Sequence, residues 1–269
     1  MHRRNGVTVR GAALLLMAAL SLAVVCQAAA DGLEDARRRG TLLAGVKTDF
    51  PPFGFIDQAG KVQGFDVAIA QALARALFGE DGRLEVVPVT SGSRIPFLYS
   101  EWIDLIVASM TITEERRQVL EFSDPYFVSR SLLLVRKDSP IQGLEDLAGK
   151  SVAIIEGAIQ DRDLATVAPA ARRVTFGTVP EAVRALKEKR VDAFCQDDVL
   201  VLTLAKENPD LRPAAKPFLP RPYAIAARKG EQQFIRWVNE QLGRMKTDGT
   251  YDRLWQTYFG GLGELLVKP

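Results

Sequence analysis

The stretch TLLAGVKTDFPPFGFIDQAGKVQGFDVAIAQALARALFG (residues 41–79) decides the fold class. Its first part, residues 41–46, is a short apolar run, which is typical of a buried β-strand. Its last part, residues 64–79, has apolar residues at helical spacing and predicts an amphipathic helix. A strand followed by a helix is the repeating unit of α/β proteins with a mostly parallel sheet.

The same alternation continues along the chain. Further strands are predicted at residues 84–89, 104–109, 131–137, 151–155 and 191–196, and further helices from about residue 93, at 180–189 and at 199–208. The segment 216–230 is rich in proline and then becomes a strand, so it is predicted to be a linker rather than a core element, and strand-like crossings between the lobes are predicted near 134–137 and 220–224. The aromatic residues of the closing segment, 234–260, are predicted to pack in the core. The sequence therefore predicts an α/β fold of two lobes that are hinged over a cleft.

The first thirty residues have the three parts of a secretory signal peptide. Three arginines precede an apolar run at residues 12–25, and three alanines follow it at 28–30. Cleavage after Ala30 is favoured over lipid attachment to Cys26, because Val24 and Val25 stand where a lipid-attachment site needs a small residue. We therefore expect an exported protein in the periplasm, in a Gram-negative context.

Composition excludes several classes of function. Lys and Arg number 35 and Asp and Glu 33, and removing the three arginines of the first thirty residues leaves 32 basic against 33 acidic residues. That balance gives no electrostatic argument for binding nucleic acid. The only histidine is His2, so Ser-His-Asp catalysis, Cys-His catalysis and the usual zinc sites are not expected, and neither is a cofactor. Cys195 is the only cysteine after residue 30 and is interpreted as a small buried hydrophobic residue.

Five segments in order, residues 45–74, 93–127, 144–157, 182–198 and 248–260, resemble a known family. The family is that of the periplasmic amino-acid-binding proteins, the polar amino-acid receptors of bacterial ABC importers, also called solute-binding protein family 3. The resemblance implies the type II periplasmic-binding-protein fold, in which each lobe is a mixed, mostly parallel sheet flanked by helices. It also implies a monomeric receptor that closes over one free amino acid and delivers it to a membrane permease.

The resemblance also implies the lobe boundaries. The first lobe would be discontinuous, with residues 31–134 and 224–269, and the second lobe would be residues 135–223. A free amino acid presents a carboxylate, an ammonium group and a side chain, and a site that excludes water must satisfy all three.

The segment 108–125 is suited to the carboxylate. Thr111 and Glu114 have the spacing of a capping box, and the helix that follows would point its free N–H groups at an anion. Arg116 lies in its first turn, where a guanidinium can bind a carboxylate with two parallel hydrogen bonds. Spacing alone explains Arg116 equally well as part of a solvated face, but it matches the family's carboxylate-binding arginine. Ser109, Thr111 and Arg116 are therefore the predicted carboxylate site.

The ammonium group and the ligand side chain are assigned by the same resemblance. Asp197 matches the ammonium-binding aspartate, and Asp198 is predicted to cap the following helix, although from spacing alone both residues fit a capping role. Phe50 matches an aromatic residue that packs over the ligand. Lys47, Ser91 and Arg94 resemble the glutamate- and aspartate-binding branch, which favours an acidic ligand.

The loop after the strand at 151–155 departs from the family pattern. Gly157 and Ala158 stand where the family has small hydroxylated residues that bind the carboxylate, and both remain predicted ligand-binding residues. Glu156 beside them argues against an acidic ligand.

Two other classes of function compete with the non-catalytic receptor. The same fold resembles the periplasmic cyclohexadienyl and arogenate dehydratases, for which Glu156, Asp161 or Asp163 would be the candidate general acid. The sensor lobe of a receptor kinase or channel is less favoured, because no membrane-spanning segment follows the last helical pattern.

Overall fold

The computed structural model describes residues 32–80 and 83–265, with side chains up to residue 262. The predicted signal peptide, its cleavage after Ala30 and the residues His2 and Cys26 lie outside these described residues. Within the described part of the chain, no helix is long and apolar enough to cross a membrane.

The strands of the described residues fall into three sheets. Their bounds are β1 (Thr41–Val46), β2 (Asp49–Phe50), β3 (Gly54–Ile56), β4 (Val62–Gln63), β5 (Arg83–Pro88), β6 (Leu105–Ile106), β7 (Leu120–Phe122), β8 (Phe127–Arg136), β9 (Ser151–Ile155), β10 (Arg172–Phe176), β11 (Ala193–Asp197), β12 (Leu211–Tyr223) and β13 (Ala226–Arg228). The first sheet has the order β5-β1-β6-β13-β7, the second has the order β10-β9-β11-β8-β12, and β2, β3 and β4 form a small third sheet.

The helices pack on the faces of the two large sheets. Their bounds are α1 (Gly32–Arg39), α2 (Phe65–Phe78), α3 (Arg94–Tyr99), α4 (Glu114–Val119), α5 (Gln160–Val167), α6 (Val179–Lys187), α7 (Asp198–Glu207), α8 (Gln232–Thr247) and α9 (Thr250–Phe259), with 3-10 turns at Leu144–Leu147 and Gly260–Leu265. Helices α1 to α4, α8 and α9 contact the first sheet or one another, whereas α5, α6 and α7 contact the second sheet. Each large sheet with its helices is one lobe, and the predicted two-lobed α/β fold is confirmed.

Both sheets mix parallel and antiparallel pairs. Strand β1 is parallel to β5 and β6, and β13 is antiparallel to β6 and β7. In the second sheet β9 is parallel to β10 and β11, whereas β8 is antiparallel to β11 and β12. The parallel strands are those that the strand-and-helix alternation predicts, because a parallel pair needs a crossover connection.

Apolar periodicity explains the core of the first lobe. Helix α2 buries the face formed by Ile69, Ala70, Leu73 and Ala74 against the first sheet. A cluster of aromatic rings lies beside it, with Phe65 in contact with the rings of Tyr251 and Phe259. The prediction that the aromatic residues of segment 234–260 pack in the core is confirmed for the fully buried members, which are Phe234, Tyr251 and Phe259. Cys195 is fully buried in β11, as predicted, and burial raises its pKa.

The strand predicted in the second part of segment 216–230 is present as β13, but the prediction that the proline-rich part is not a core element is wrong. Residues 211–223 form strand β12, and its prolines at 213, 217, 220 and 222 are tolerated because β12 is the edge strand of its sheet. A proline cannot donate a ladder hydrogen bond, so an edge strand is where a sheet accepts it. The register shifts between Ala214 and Phe218 and again between Phe218 and Arg221 absorb the irregular backbone.

Two neighbouring strands connect the lobes. Strands β8 and β12 are paired at Phe127 with Tyr223 and at Ser129 with Arg221, and both then continue into the second sheet. On the other side, the backbone N–H of Ala224 donates to Met110 in the first lobe. The lobe boundaries after residues 134 and 223 remain a prediction, although β8 is paired with β11 of the second sheet from Ser131 onward.

Candidate functional site

The ends of strands from both lobes meet at one junction. Lys47 follows β1 directly, the loop 156–158 follows β9, and Asp197 ends β11. Ligands of open α/β sheets bind at the carboxyl ends of strands, which makes this junction the candidate site. A cavity of about 10 Å³ lies there, lined by Lys47, Asp49, Phe50, Thr90, Ser91, Ile155, Gly177 and Val179.

The two lobes are in contact around this cavity. Nη2 of Arg116 donates to the carbonyl oxygen of Gly157 at 2.9 Å, and the N–H of Val179 donates to Oδ2 of Asp49 at 3.0 Å. Gly157 has a φ of +71°, and a Cβ there would stand 2.7 Å from the carbonyl oxygen of Ser91. These contacts hold the two lobes together, so the structure is a closed arrangement that must open before a ligand can enter.

An ion pair joins the lobes at the edge of the site. Glu115 on α4 and Arg162 on α5 make two contacts, 2.7 Å from Nη1 to Oε2 and 2.6 Å from Nη2 to Oε1. Both side chains are about half exposed. The Arg162 hydrogen bond lowers the pKa of Glu115 to about 2. The parallel arrangement of two charge-assisted hydrogen bonds gives this pair a defined geometry.

The predicted side-chain subsite contains two buried cations. Lys47 is 4% exposed, and its Nζ lies 3.7 Å from the centroid of the Phe50 ring. Burial and then the neighbouring charge of Arg94 lower the pKa of Lys47 to about 7. Arg94 is 2% exposed, and its Nη1 donates to the carbonyl oxygens of Ala108 at 2.6 Å and Ser109 at 3.3 Å. Burial and then the charge of Arg116 lower the pKa of Arg94 to about 9.

Arg116, the predicted carboxylate-binding residue, lies at the junction of the lobes. It occupies the first turn of α4, and Nη1 donates to the carbonyl oxygen of Thr111 at 2.8 Å. Burial is the main cause that lowers its pKa, to about 10, and Asp197 opposes that effect. Arg116 therefore lies near the predicted ammonium-binding residue, as a site for an α-amino acid needs.

The predicted capping box at Thr111 and Glu114 is wrong. Helix α4 begins at Glu114, its N-cap is Thr113, and Oγ1 of Thr113 accepts from the N–H of Arg116 at 3.2 Å. Thr111 is instead buried in an extended segment that is bridged to Tyr223. Thr113, two residues after Thr111, is the N-cap because the backbone is still extended at Thr111.

Ser109 is bound from within its own lobe. Its N–H donates to Oδ2 of Asp66 at 2.9 Å, its hydroxyl lies 3.3 Å from the same oxygen, and its φ is +47°. Tyr126 donates to the other oxygen of Asp66 at 2.8 Å. Burial raises the pKa of Asp66 to about 7, against the opposing hydrogen bond from Tyr126. Sequence reasoning missed Asp66, because an acid in the first turn of a helix normally needs no further explanation.

Asp197 and Asp198 stand at the start of α7, one position later in the helix than predicted. Asp197 is the N-cap residue, but its side chain makes no capping bond, whereas Asp198 is the first helical residue. Asp198 is not the N-cap residue that was predicted, but its Oδ1 still accepts from the N–H of Val199 at 3.0 Å in the first turn. The same carboxylate is bound by Nε of Arg130 at 2.8 Å and by the Ser129 hydroxyl at 3.0 Å. The role of Asp197 in binding an ammonium group remains a prediction. Burial raises the pKa of Asp197, and the charge of Lys47 opposes that shift.

The loop after β9 forms the rim of the site. Gly157 and Glu156 are exposed, Ala158 is half-buried, and the N–H of Ala158 donates to Ile155. Glu156 does not line the cavity. The other candidate general acids do not line it either, since Asp161 pairs with Arg173 and Asp163 pairs with Arg221.

Comparisons with known proteins agree with this architecture. Residues 42–261 match the family described as bacterial extracellular solute-binding proteins, family 3. The ABC transporter glutamine-binding protein GlnH of Bacillus subtilis is 36% identical over 230 residues, which cover 85% of this chain and 84% of that protein.

Two solved structures are also similar. The solute receptor for L-cysteine of Neisseria gonorrhoeae has a TM-score of 0.83 and 31% identity, with 88% of this chain and 97% of that chain covered. The arginine-bound form of truncated ArgBP from T. maritima has a TM-score of 0.75 and 37% identity, with 79% of this chain and 99% of that chain covered. With a family match over most of its length and two lobes that meet at one junction, this chain belongs to the bacterial extracellular solute-binding proteins of family 3.

Proposed function

We propose that this protein is the amino-acid receptor of an ABC importer and that its ligand carries a second carboxylate, as glutamate and aspartate do. The observation that carries the acidic preference is the burial of Lys47 and Arg94 together at the lobe junction. Buried cations are costly unless anions compensate them, and Asp197, Asp49 and Asp66 compensate Lys47 only in part, since its pKa stays lowered to about 7. The similar proteins are named for glutamine, L-cysteine and arginine, which differ in their side chains and share the α-amino acid group.

The α-amino acid group would be held from both lobes. Arg116 uses Nη1 and Nη2 for carbonyl oxygens, and a guanidinium has five donors, so donors remain for a ligand carboxylate. Asp197 accepts from Gln160 through Oδ1 and offers its charge to an ammonium group. A ligand held by both groups would bridge the lobes and favour the closed arrangement.

A second carboxylate would fit the two cations of the side-chain subsite. Nε of Arg94 is buried and has no hydrogen-bond partner among the described residues. Lys47 is held near a pKa of 7 by burial and by Arg94, so an anion beside it would favour its charged form. Glu156, which argued against this ligand in the sequence, is exposed, and its side chain lies against Gly92 of the first lobe.

The ligand is identified by a thermal-shift screen of the purified protein with glutamate, aspartate, glutamine, cysteine, cystine and arginine. A ligand that binds only the folded state stabilises it by about 2.7 kcal/mol at a hundred times its Kd. We expect glutamate or aspartate to give the largest shift. Lys47→Met, which keeps the length and removes the charge, should reduce that shift and spare the shift given by glutamine. A shift with arginine alone would overturn the acidic ligand.

Binding of the acidic ligand is expected to depend on pH through Lys47. Lys47 faces Arg94, Asp197, Asp49 and Asp66, and its pKa without a bound anion is about 7. A bound carboxylate raises that pKa, so binding takes up a proton above pH 7. The Kd should therefore be nearly constant between pH 6 and 7 and should rise above pH 7, by at most about tenfold per pH unit. Calorimetry in two buffers of different ionisation enthalpy measures the proton uptake. Equal uptake in Lys47→Met would contradict this assignment.

The ion pair between Glu115 and Arg162 is expected to hold the closed state. Solvent weakens an exposed ion pair, but reversing one charge adds repulsion, so Glu115→Arg should weaken ligand binding about three- to fivefold. The double variant Glu115→Arg with Arg162→Glu should recover most of the loss. Glu114→Arg is the control. Glu114 is 90% exposed, and its ion pair, at 3.9 Å, is with Arg117 of its own helix and does not join the lobes. Equal Kd values for all variants, measured at low salt, would exclude a role for the pair in closure.

The relatives do not favour the dehydratase alternative, since they are named as binding proteins. The chain is a non-catalytic solute-binding protein. We further propose that it acts as a monomer in the periplasm and delivers its ligand to the membrane permease.

A further inference from the structure

Gln160, a residue that the sequence did not single out, is bound to the carboxylate of Asp197. Gln160 is the first residue of α5 and is 1% exposed. Its Nε2 donates to Oδ1 of Asp197 at 2.9 Å and lies 3.4 Å from the hydroxyl of Ser131. The side chain thus reaches from the start of α5 to the last residue of β11 and to Ser131, which is paired with Asp197 in the middle of β8.

The contacts continue from Gln160 to both strands that connect the lobes. The hydroxyl of Ser131 on β8 donates to Oδ2 of Asp163 at 2.7 Å. Nη2 of Arg221 on β12 donates to Oδ1 of the same carboxylate at 2.7 Å. The Asp163 side chain is fully buried, so its ion pair with Arg221 holds β12 against α5 within the second lobe. Asp197 is therefore tied through Gln160 to the place where the two connecting strands lie side by side.

Packing alone does not explain a glutamine at this position. Its Oε1 is buried and has no hydrogen-bond partner among the described residues. A buried polar atom without a partner costs free energy, and an apolar side chain of the same shape would avoid that cost. The cost indicates a role for the Nε2 donor, and the acceptor of that donor is Asp197.

We propose that Gln160 is a positioning residue that holds the Asp197 carboxylate for the ammonium group of the ligand. This inference rests on the proposed role of Asp197. Gln160 makes the receptor selective for α-amino acids over the corresponding acids without an amino group, and it does so through Asp197. The amide also favours the ionised form of Asp197, whose other charged or titratable neighbours include Lys47, Arg94, Arg116, Tyr223 and Asp198.

The test compares glutamate with glutarate, which has the same two carboxylates and no amino group. Kd values are measured by calorimetry for the full chain and for Gln160→Met and Gln160→Glu. We expect Gln160→Met to weaken glutamate about tenfold and to leave glutarate within twofold of its wild-type Kd. Gln241→Leu is the control, because Gln241 is also buried but lies on α8 of the first lobe, and both Kd values should stay unchanged.

The pH dependence separates positioning from a general loss of structure. The carboxyl group introduced by Gln160→Glu has, when protonated, an O–H donor where the native amide has N–H. This variant should therefore bind glutamate poorly at pH 7.5 and recover at pH 5.5. Gln160→Met should lose more affinity at pH 5.5 than at pH 7.5, because Asp197 is then more easily protonated. Between pH 7.5 and pH 5.5 the affinity for glutamate should therefore rise in Gln160→Glu and fall in Gln160→Met. A general loss of structure would not change the two affinities in opposite directions.

Two outcomes overturn the proposal. Equal weakening of glutamate and glutarate in Gln160→Met would show a structural role only, and no weakening of either would show that Asp197 needs no support. Failure of the proposed function looks different: the wild type would then bind glutamate no better than glutarate. If the screen identifies glutamine instead, the same comparison is made with glutamine and glutaramate, its form without the α-amino group.

Discussion

Gly157→Ala is expected to raise the Kd for the ligand by at least about 100-fold, which is about 2.7 kcal/mol of binding free energy. The new Cβ would stand 2.7 Å from the carbonyl oxygen of Ser91 and 2.8 Å from Cα of Gly92, both of them backbone atoms of the first lobe. Backbone cannot move aside as a flexible side chain can. The lobes would have to stay apart, and Arg116 would lose its 2.9 Å hydrogen bond to the carbonyl oxygen of Gly157.

Gly149→Ala is the matched control for this variant. Gly149 has the same φ of +71°, but a Cβ there would meet no atom within 4 Å. Both variants carry the cost of an alanine in the left-handed region, about 1–2 kcal/mol of the free energy of unfolding. We expect similar melting temperatures for the two variants and a binding defect in Gly157→Ala alone. Small-angle scattering should show ligand-induced compaction in Gly149→Ala only. Wild-type compaction and affinity in Gly157→Ala would show that the closed state does not need this approach.

Arg116→Ala is expected to remove ligand binding almost completely, with a Kd raised more than about 100-fold. A hydrogen bond to a charged group contributes about 1.5–3 kcal/mol, and a guanidinium can make two such bonds to one carboxylate. Arg116→Lys should recover part of the affinity, because lysine keeps the charge but cannot make the planar pair of bonds. The loss should be found for every amino acid that binds, since all of them share the α-carboxylate.

Arg117→Ala provides the comparison in the same helix. Arg117 is the next residue, and its side chain is 52% exposed and 3.9 Å from Glu114. It should bind the ligand as the wild type does, measured by the same calorimetry. Equal losses in the two alanine variants would mean that the general positive charge of this helix attracts the ligand, and that Arg116 has no specific contact with it.

The elements of the fold that the sequence predicts well are those in which local pattern and burial agree. Strand β1 and strand β9 have the predicted bounds, and α2 differs by one residue at each end. The prediction for the proline-rich part of segment 216–230 was wrong, because proline content is a local signal, whereas the place of β12 at the edge of a sheet is a tertiary property. The caps at Thr113 and Asp197 were misassigned for a similar reason, since neighbouring hydroxyls and carboxylates compete and the tertiary partners decide between them.

The candidate site is less accessible to sequence reasoning than the fold. Family resemblance pointed to Arg116 and Asp197, and the structure places both at the junction of the lobes, but their role in binding remains a prediction. Asp66 and Gln160 carry no local signal, because their partners Ser109 and Asp197 lie 43 and 37 residues away in the chain. The lowered pKa of Lys47 could not be predicted from the sequence either, because it depends on burial and on the charge of Arg94, which is 47 positions further along the chain.

The pairing of β8 with β12 restricts how the receptor can open. Two separate tethers would let one lobe slide or twist over the other, but here the tethers are hydrogen-bonded to each other at Phe127 with Tyr223 and at Ser129 with Arg221. A two-stranded ribbon bends across its flat face much more easily than it shears along its length, because shear would break its ladder. Opening is therefore expected to follow a single arc. Each time the lobes close, the carboxylate-binding and ammonium-binding halves of the site return to the same relative position. The hinge therefore helps to determine which ligand geometry is recognised, together with the side chains of the site.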